Sequence, residues 1–313
     1  MSALPAGLSV VAPDARQALE IIQELDAAGV HAVWQTAGPM GADPMTLYAA
    51  AAANTRRILL GTSIIPTYLR HPTTLATQAR VIEDLAPGRL RLGVGPSHRP
   101  VIEGMLGLRM GRPLAHLREY VAVLRGLLWD GKAELRGDYF NLALQLPAGP
   151  TPPRTPIPIS ALSANAFRLA GEIADGAISW VAPVPYLVRT GLPAIAEGAA
   201  TAGRPAPPLI THVPVAVTAN RTAALEASAR MFGRYGSLPF YARMFAAAGF
   251  PVGADGKTPP EAIDALTVSG SADQIRSRLE AILAEGIGEL LISQVVVADA
   301  DAERRELASL LAG

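Results

Sequence analysis

Residues 61–95 of the chain read GTSIIPTYLRHPTTLATQARVIEDLAPGRLRLGVG, and this stretch carries most of the information about the fold. An apolar run comes first, a segment with helical spacing follows, and Pro87-Gly88 separates it from a second apolar run. Strands buried on both faces of a parallel sheet are nearly all apolar and alternate with helices, so this pattern predicts a strand–helix–strand unit. Both strands end in residues that are small or conformationally restricted, at Ser63-Ile64 and Gly95-Pro96. A bulge at such a strand end would lift the backbone toward a ligand.

The same alternation recurs along all 313 residues. It predicts strands at 8–11, 32–35, 58–65, 90–94, 157–161, 176–179, 209–217 and 289–297. It predicts helices at 14–28, 44–54, 71–85, 113–128, 164–174, 186–203, 222–248 and 272–284, and a last one from Asp301. Eight such units close into a right-handed barrel of typically ~250 residues, so we expect a single-domain α/β fold, a (β/α)8 TIM barrel. The extra length is assigned to insertions at about 96–112, 130–156 (with a hairpin and a proline-rich connector) and 249–271.

The amino-acid composition of the chain limits the partners and the compartment that we expect for it. The 27 basic and 27 acidic residues cancel without a basic cluster, which argues against a nucleic-acid partner and favours a small-molecule substrate. The chain has no cysteine, which excludes a disulfide framework and thiolate chemistry and fits a reducing compartment. No apolar run approaches the ~20 residues of a membrane span, and the first residues do not resemble a signal peptide. We therefore expect no membrane association and a cytoplasmic location.

Active sites of such barrels lie at the C-terminal ends of the strands. The residues that follow the predicted strands are therefore the candidates for chemistry: Trp34 to Thr36, Ser63 to Tyr68, Gly95 to His98, Ala161 to Asn165, Trp180 and His212 to Val217. The five histidines form no metal-binding pattern, so no metal site is expected. GVGPSH at 93–98 lacks the third glycine of a dinucleotide fingerprint, and Pro96 removes a backbone donor, so that interpretation fails.

Two candidate roles stay open on the residues alone. Ser163 is suited to cap the helix that follows the fifth strand, and the free N–H groups at 161–164 would either bind a phosphate or serve only as a helix start. His98 has an ordinary pKa near neutrality, so it is a candidate proton donor or acceptor, although a loop histidine is often structural.

Three segments of the chain resemble the bacterial luciferase-like superfamily, especially its deazaflavin-dependent (F420-dependent) oxidoreductases. They are TRRILLGTSIIPTYLRHPTTLATQARVIEDLAPGRLRLGVG at 55–95, FRLAGEIADGAIS at 167–179 and ALTVSGSADQIRSRLEAILAEGIGELLIS at 265–293. The resemblance implies a barrel whose mouth holds a tricyclic flavin-type ring, with a non-prolyl cis peptide between Ser63 and Ile64 behind it. It also implies hydride transfer between the ring and a small substrate, without a protein nucleophile.

The resemblance assigns two groups of contacts to residues of this chain. The cofactor contacts are Thr36, Ser63, Ile64, Gly95 and Pro96, with the phosphate near Ala161, Leu162, Ser163 and Ala164. The substrate pocket would be shaped by Trp34, Tyr68, His98 and Trp180.

The sequence departs from the family's sugar-phosphate dehydrogenases at two positions. Those enzymes carry a histidine after strand two and a glutamate after strand four, where this chain has Thr36 and His98. Sugar-phosphate oxidation is therefore not expected, and Thr36 and His98 become the candidate catalytic residues.

F420 is the favoured cofactor. FMN with monooxygenase chemistry is the alternative, and a non-catalytic cofactor-binding relative is a third possibility. We also expect a homodimer, and the loop at 96–113 is either a lid or a dimer contact.

Overall fold

The computed structural model describes residues 3–38, 41–147 and 154–312, and its centre is a closed ring of eight parallel strands. The strands are β1 (Ala6–Ser9), β2 (Ala32–Gln35), β3 (Leu59–Thr62 and Ile65–Pro66), β4 (Leu90–Arg91 and Val94–Gly95), β5 (Ile159–Ser160), β6 (Ala177–Ser179), β7 (Leu209–Ala216) and β8 (Glu289–Gln294). Each pairs with the next, and β8 pairs with β1 to close the ring. The predicted (β/α)8 TIM barrel is confirmed.

Helices cover the outside of the ring. They are α1 (Ala15–Ala28), α2 (Pro44–Asn54), α3 (Pro72–Leu85), α4 (Pro113–Trp129), α5 (Ala164–Ile173), α6 (Leu192–Thr201), α7 (Arg221–Phe232), α8 (Pro239–Ala247), α9 (Pro260–Leu266), α10 (Ala272–Ala284) and α11 (Ala300–Ala312). A large hydrophobic core lies between them and the strands. Within the described ranges no helix combines the length and apolarity that crossing a bilayer requires.

The predicted continuous helix at 222–248 is wrong. The helix α7 ends at Phe232, a single 3-10 turn follows at Tyr235–Ser237, and α8 starts anew with Pro239 as its first residue. Proline has no N–H and clashes with the preceding turn, so it starts a helix well and cannot continue one. Similarly, the predicted helix at 186–203 contains a π-helical turn at Leu187–Gly191 before α6 begins.

The insertions contain structure of their own. After β4 comes a π-helical turn, Pro100–Met105, and after α4 an antiparallel hairpin joins Lys132–Arg136 to Asn141–Gln145, as predicted. The proline-rich connector predicted after the hairpin lies partly outside the described residues. A short strand after α9, Val268–Ser269, adds to the edge of β7.

The strands β3 and β4 are each interrupted where they approach one another. The Thr62 hydroxyl donates to the Gly93 carbonyl at 2.8 Å, and the Ile65 N–H donates to the same carbonyl at 2.9 Å. A Cβ at position 93 would collide with the Thr62 carbonyl, so only glycine fits there. The peptide between Ser63 and Ile64 is cis, as the resemblance implied.

Trp34 fills the interior of the barrel. Its side chain is fully buried beside Ile178, Ile210 and Leu291, and the Arg91 guanidinium lies 4.9 Å from the centre of its ring. Gly7 and Gly61 leave room for it, because a Cβ at either position would run into the indole. The predicted role of Trp34 in a substrate pocket is therefore wrong: its side chain is core packing in the middle of the barrel.

Replacing Gly61 by alanine tests this packing. The added methyl group would collide with the Trp34 ring, which has no free space to move into, so the free energy of unfolding should fall by about 2 kcal/mol. Gly104→Ala is the matched control, because a Cβ there meets nothing within 4 Å. Urea unfolding measures both, and an unchanged midpoint for Gly61→Ala would contradict the packing described.

Candidate active site

A cavity of about 1040 Å³ opens at the C-terminal ends of the strands. It lies at the end of the barrel where TIM-barrel enzymes carry out their chemistry. Most of the predicted site residues line it: Thr36, Ser63, Ile64, Pro96, His98, Ala161, Leu162, Ser163, Ala164 and Trp180. No group of three or more histidine, aspartate or glutamate side chains within the described ranges is arranged to hold a metal ion.

Besides Trp34, two predicted residues lie outside the lining. Gly95 is part of the barrel wall, where a Cβ would collide with the Ser160 hydroxyl. Tyr68 stacks on His116 with ring centres 4.0 Å apart, and its hydroxyl donates to the Met110 carbonyl. The predicted pocket role of Tyr68 is corrected accordingly: it fastens the segment that leads into α4.

The ends of β2 and β3 are held together beside the cavity. The Thr36 hydroxyl donates to the Ser63 carbonyl at 3.0 Å, and the Ser63 N–H donates to the Gln35 carbonyl at 2.9 Å. Ile64 accepts a bond from the Ala37 N–H at 3.4 Å. The Thr36 hydroxyl proton is thus used in a hydrogen bond to the backbone, and this bond gives Thr36 a positioning role. The predicted catalytic role of Thr36 stays a prediction.

His98 lies in the cavity wall in an apolar setting. Burial lowers the pKa of His98 below its ordinary value, so the ring is neutral near pH 7. Its Nδ1 is buried without a hydrogen-bond partner among the described residues, and its ring centre lies 5.5 Å from that of Tyr241. A buried nitrogen without a partner is unusual, and here it is one that a ligand in the cavity can satisfy.

Two helix N-termini line one side of the cavity. Ser163 caps α5 by accepting from the Ala166 N–H, as predicted, and α4 begins after Arg112 with no side-chain cap. An ion pair between Arg118 and Glu172 ties the two helices together. The first N–H groups of a helix lack internal partners and carry partial positive charge, so this side of the cavity suits an anion.

Aromatic side chains form another part of the cavity wall. The Trp180 ring stacks on His212 with centres 3.8 Å apart, and its indole N–H donates to the Tyr235 hydroxyl at 2.8 Å. Phe240, Tyr241 and Met244 from α8 complete this side. The sequence analysis missed Tyr235 and the α8 residues because it merged them into one long helix; Pro239, next to two aromatic residues, was the available signal.

His212 supports Trp180 from within the barrel. Its Nδ1 accepts from the Val181 N–H at 3.2 Å, so its Nε2 carries the proton and donates to the Ser293 hydroxyl at 2.9 Å. Complete burial lowers the pKa of His212 to about 3. The ring is therefore neutral across the physiological range.

This buried histidine predicts a specific pH dependence of stability. In the unfolded chain a histidine titrates near 6.5, so between pH 6.5 and about 3 the unfolded state binds a proton that folded His212 rejects. The free energy of unfolding should therefore fall as pH drops, by about 2 kcal/mol for this residue between pH 7 and 5.

In His212→Asn that part of the loss should disappear, whatever the absolute stability of the variant. His31→Asn removes an exposed histidine and serves as the control. Urea unfolding at pH 7 and pH 5 measures the difference. Equal pH dependence in the wild type and His212→Asn would contradict the prediction.

The site thus defines a class of protein: a TIM barrel whose mouth contains a cavity lined by apolar side chains and by the starts of two helices. Comparison with known proteins gives the family. The luciferase-like monooxygenase family matches residues 2–289, and the chain belongs to this family.

Relatives of known sequence extend the comparison. Uncharacterized proteins of Mycobacterium bovis and Mycobacterium tuberculosis are 31% identical over 216 residues, which are 64% of this chain and 64% of theirs. An F420-dependent glucose-6-phosphate dehydrogenase of Beutenbergia cavernae is 36% identical over 55% of this chain and 52% of its own. The chain thus matches less than two thirds of the length of these relatives.

Solved structures resemble the whole fold. An F420-dependent tetrahydromethanopterin reductase from Methanopyrus kandleri has a TM-score of 0.78 at 18% identity, covering 99% of this chain and 98% of that one. A Baeyer–Villiger monooxygenase component from Pseudomonas putida in complex with FMN has a TM-score of 0.72 at 20% identity, covering 99% and 96%. At these identities the likeness concerns the fold alone.

Proposed function

We propose that the protein is an oxidoreductase that transfers hydride between a deazaflavin coenzyme of the F420 type and a small organic substrate. One observation carries the proposal: a single cavity combines a largely apolar interior with two helix N-termini on one side. A flat ring with a phosphate-bearing tail matches both features. Several relatives are named as F420-dependent enzymes, which supports the choice of coenzyme.

The residues of the chain fit such a coenzyme. Ala161, Leu162, Ser163 and Ala164 would hold the phosphate at the start of α5, and the start of α4 adds N–H groups on the same side. Ser63, Ile64 and Pro96 would contact the ring. When bound, the coenzyme would supply or accept the hydride. The protein would orient the coenzyme and the substrate and exclude water from the site.

Side chains of the protein would position the ring, exclude water and exchange the proton. The bond from Thr36 to the Ser63 carbonyl keeps the ring contacts in place, and the aromatic wall keeps water out. In the proposal, neutral His98 exchanges the proton that accompanies hydride transfer, through its unpaired Nδ1. Sugar phosphates are not the proposed substrates, because Thr36 and His98 replace the proton-handling pair of those dehydrogenases.

FMN remains the second candidate, since its phosphate suits the same helix start and an FMN complex is among the structural relatives. Equilibrium titration with F420 and with FMN separates the two. We expect F420 to bind at least ten times more tightly; tighter binding of FMN would favour the monooxygenase, and binding of F420 without any turnover would favour a carrier. The homodimer and the cytoplasmic location stay predictions.

Replacing Ala164 by glutamate tests the phosphate site. Ala164 is the first residue of α5 and lines the cavity, so a carboxylate there should repel the phosphate and raise the dissociation constant of F420 by tenfold or more. Ala272→Glu is the matched control, because Ala272 is a half-buried first residue of α10, outside the cavity lining. Fluorescence titration measures both; equal effects would contradict the assignment.

A further inference from the structure

The aromatic wall, defined here as Trp180, Tyr235, Phe240 and Tyr241, points to the substrate class. We infer that the substrate is an uncharged, flat, conjugated carbonyl compound that lies against Trp180 and accepts a hydrogen bond from the Tyr241 hydroxyl. This inference deepens the proposed function and rests on it for the source of hydride.

Trp180 is a rigid surface. Its indole is held by stacking on His212 and by the hydrogen bond to Tyr235, and both partners are themselves fixed. His212 is bonded to the Val181 N–H and to Ser293, while the Tyr235 ring meets the Tyr241 ring edge-on at 4.8 Å. An aromatic ring fixed in this way favours a flat partner, which stacks without ordering a flexible side chain.

Tyr241 supplies a single free donor. Its side chain is only 2% exposed and lines the cavity, yet its hydroxyl makes no hydrogen bond with any described residue. The hydroxyl oxygen keeps some accessible surface in the cavity, so this donor is available to a ligand. Burial holds the pKa of Tyr241 well above its usual range, so the hydroxyl remains a donor. A carbonyl oxygen is the simplest acceptor that fits beside an apolar ring.

The charges around the cavity argue against an ionic substrate. Within the described part of the lining no carboxylate and no lysine occurs. The two arginines are exposed at the rim: Arg112 pairs with Asp138, and Arg243 lies over the Phe240 ring. A charged group buried against Trp180 and Tyr241 would lose its hydration, and neither of these residues offers a counterion, so its burial there is costly.

The chemistry balances with the proposed coenzyme. Hydride from the reduced deazaflavin adds to the carbon β to the carbonyl, and the electron pair of the C=C bond moves to give an enolate. The enolate oxygen keeps the hydrogen bond from Tyr241, which strengthens as negative charge develops. A proton from the solvent then adds to the α carbon, so the alkene gains one hydride and one proton and the deazaflavin is oxidised by two electrons.

The test compares three probes of nearly equal shape: cinnamaldehyde, trans-β-methylstyrene, which lacks the oxygen, and cinnamate, which is charged. Dissociation constants are measured by calorimetry with and without F420. In Tyr241→Phe, cinnamaldehyde should bind about 3- to 10-fold more weakly, the worth of one hydrogen bond, while trans-β-methylstyrene should change less than twofold. The variant should fold, because the hydroxyl it removes has no partner among the described residues.

Tyr186→Phe is the matched control. Tyr186 lines the same cavity, but its hydroxyl already donates to the Leu162 carbonyl at 2.9 Å, so its removal should leave cinnamaldehyde binding unchanged. The inference is overturned if Tyr241→Phe affects both neutral probes equally or neither, if cinnamate binds the wild type more tightly than the aldehyde, or if the aldehyde does not bind. If the wild type does not bind F420 but Tyr241→Phe still weakens the binding of cinnamaldehyde, only the proposed function is overturned.

Discussion

The close approach of β3 and β4 at Gly93 is the constraint on which the site depends. Two hydrogen bonds converge on the Gly93 carbonyl, from the Thr62 hydroxyl and from the Ile65 N–H, and no side chain fits at position 93. This crossing interrupts both strands just before they end. Ser63 and Ile64 consequently face the cavity, and the chain leaving β4 carries Pro96 and His98 into its wall. The interior of the barrel below the cavity is filled by Trp34.

The cavity wall has two chemically different parts. The starts of α4 and α5 offer unpaired N–H groups, whereas the side built from Trp180 and α8 is aromatic and apolar. The ionisable rings in or behind that wall are kept uncharged: burial lowers the pKa of His98 and His212 and raises that of Tyr241. A neutral aromatic surface in the same cavity as two helix N-termini suits a ligand with an apolar body and a charged tail.

The sequence predicted the barrel because its buried strands and amphipathic helices differ strongly in pattern, and it predicted the Ser163 cap because capping is local chemistry. It could not distinguish Trp34, which fills the barrel, from Trp180, which lines the cavity, since both follow or end a buried strand. Only the glycines at 7 and 61, brought beside Trp34 by the closed sheet, reveal the difference. The aromatic residues after α7 were missed because helical spacing continues across Pro239, and Tyr68 was misplaced because its partner, Met110, is distant in sequence.

The central claim is that this cavity holds a deazaflavin coenzyme. The most direct measurement is the mass of the small molecule released by denaturing protein purified from a host that makes both F420 and FMN. We expect F420, in an amount close to one per chain, and less of it from the Ala164→Glu variant. Release of FMN in its place, or of neither molecule, would contradict it.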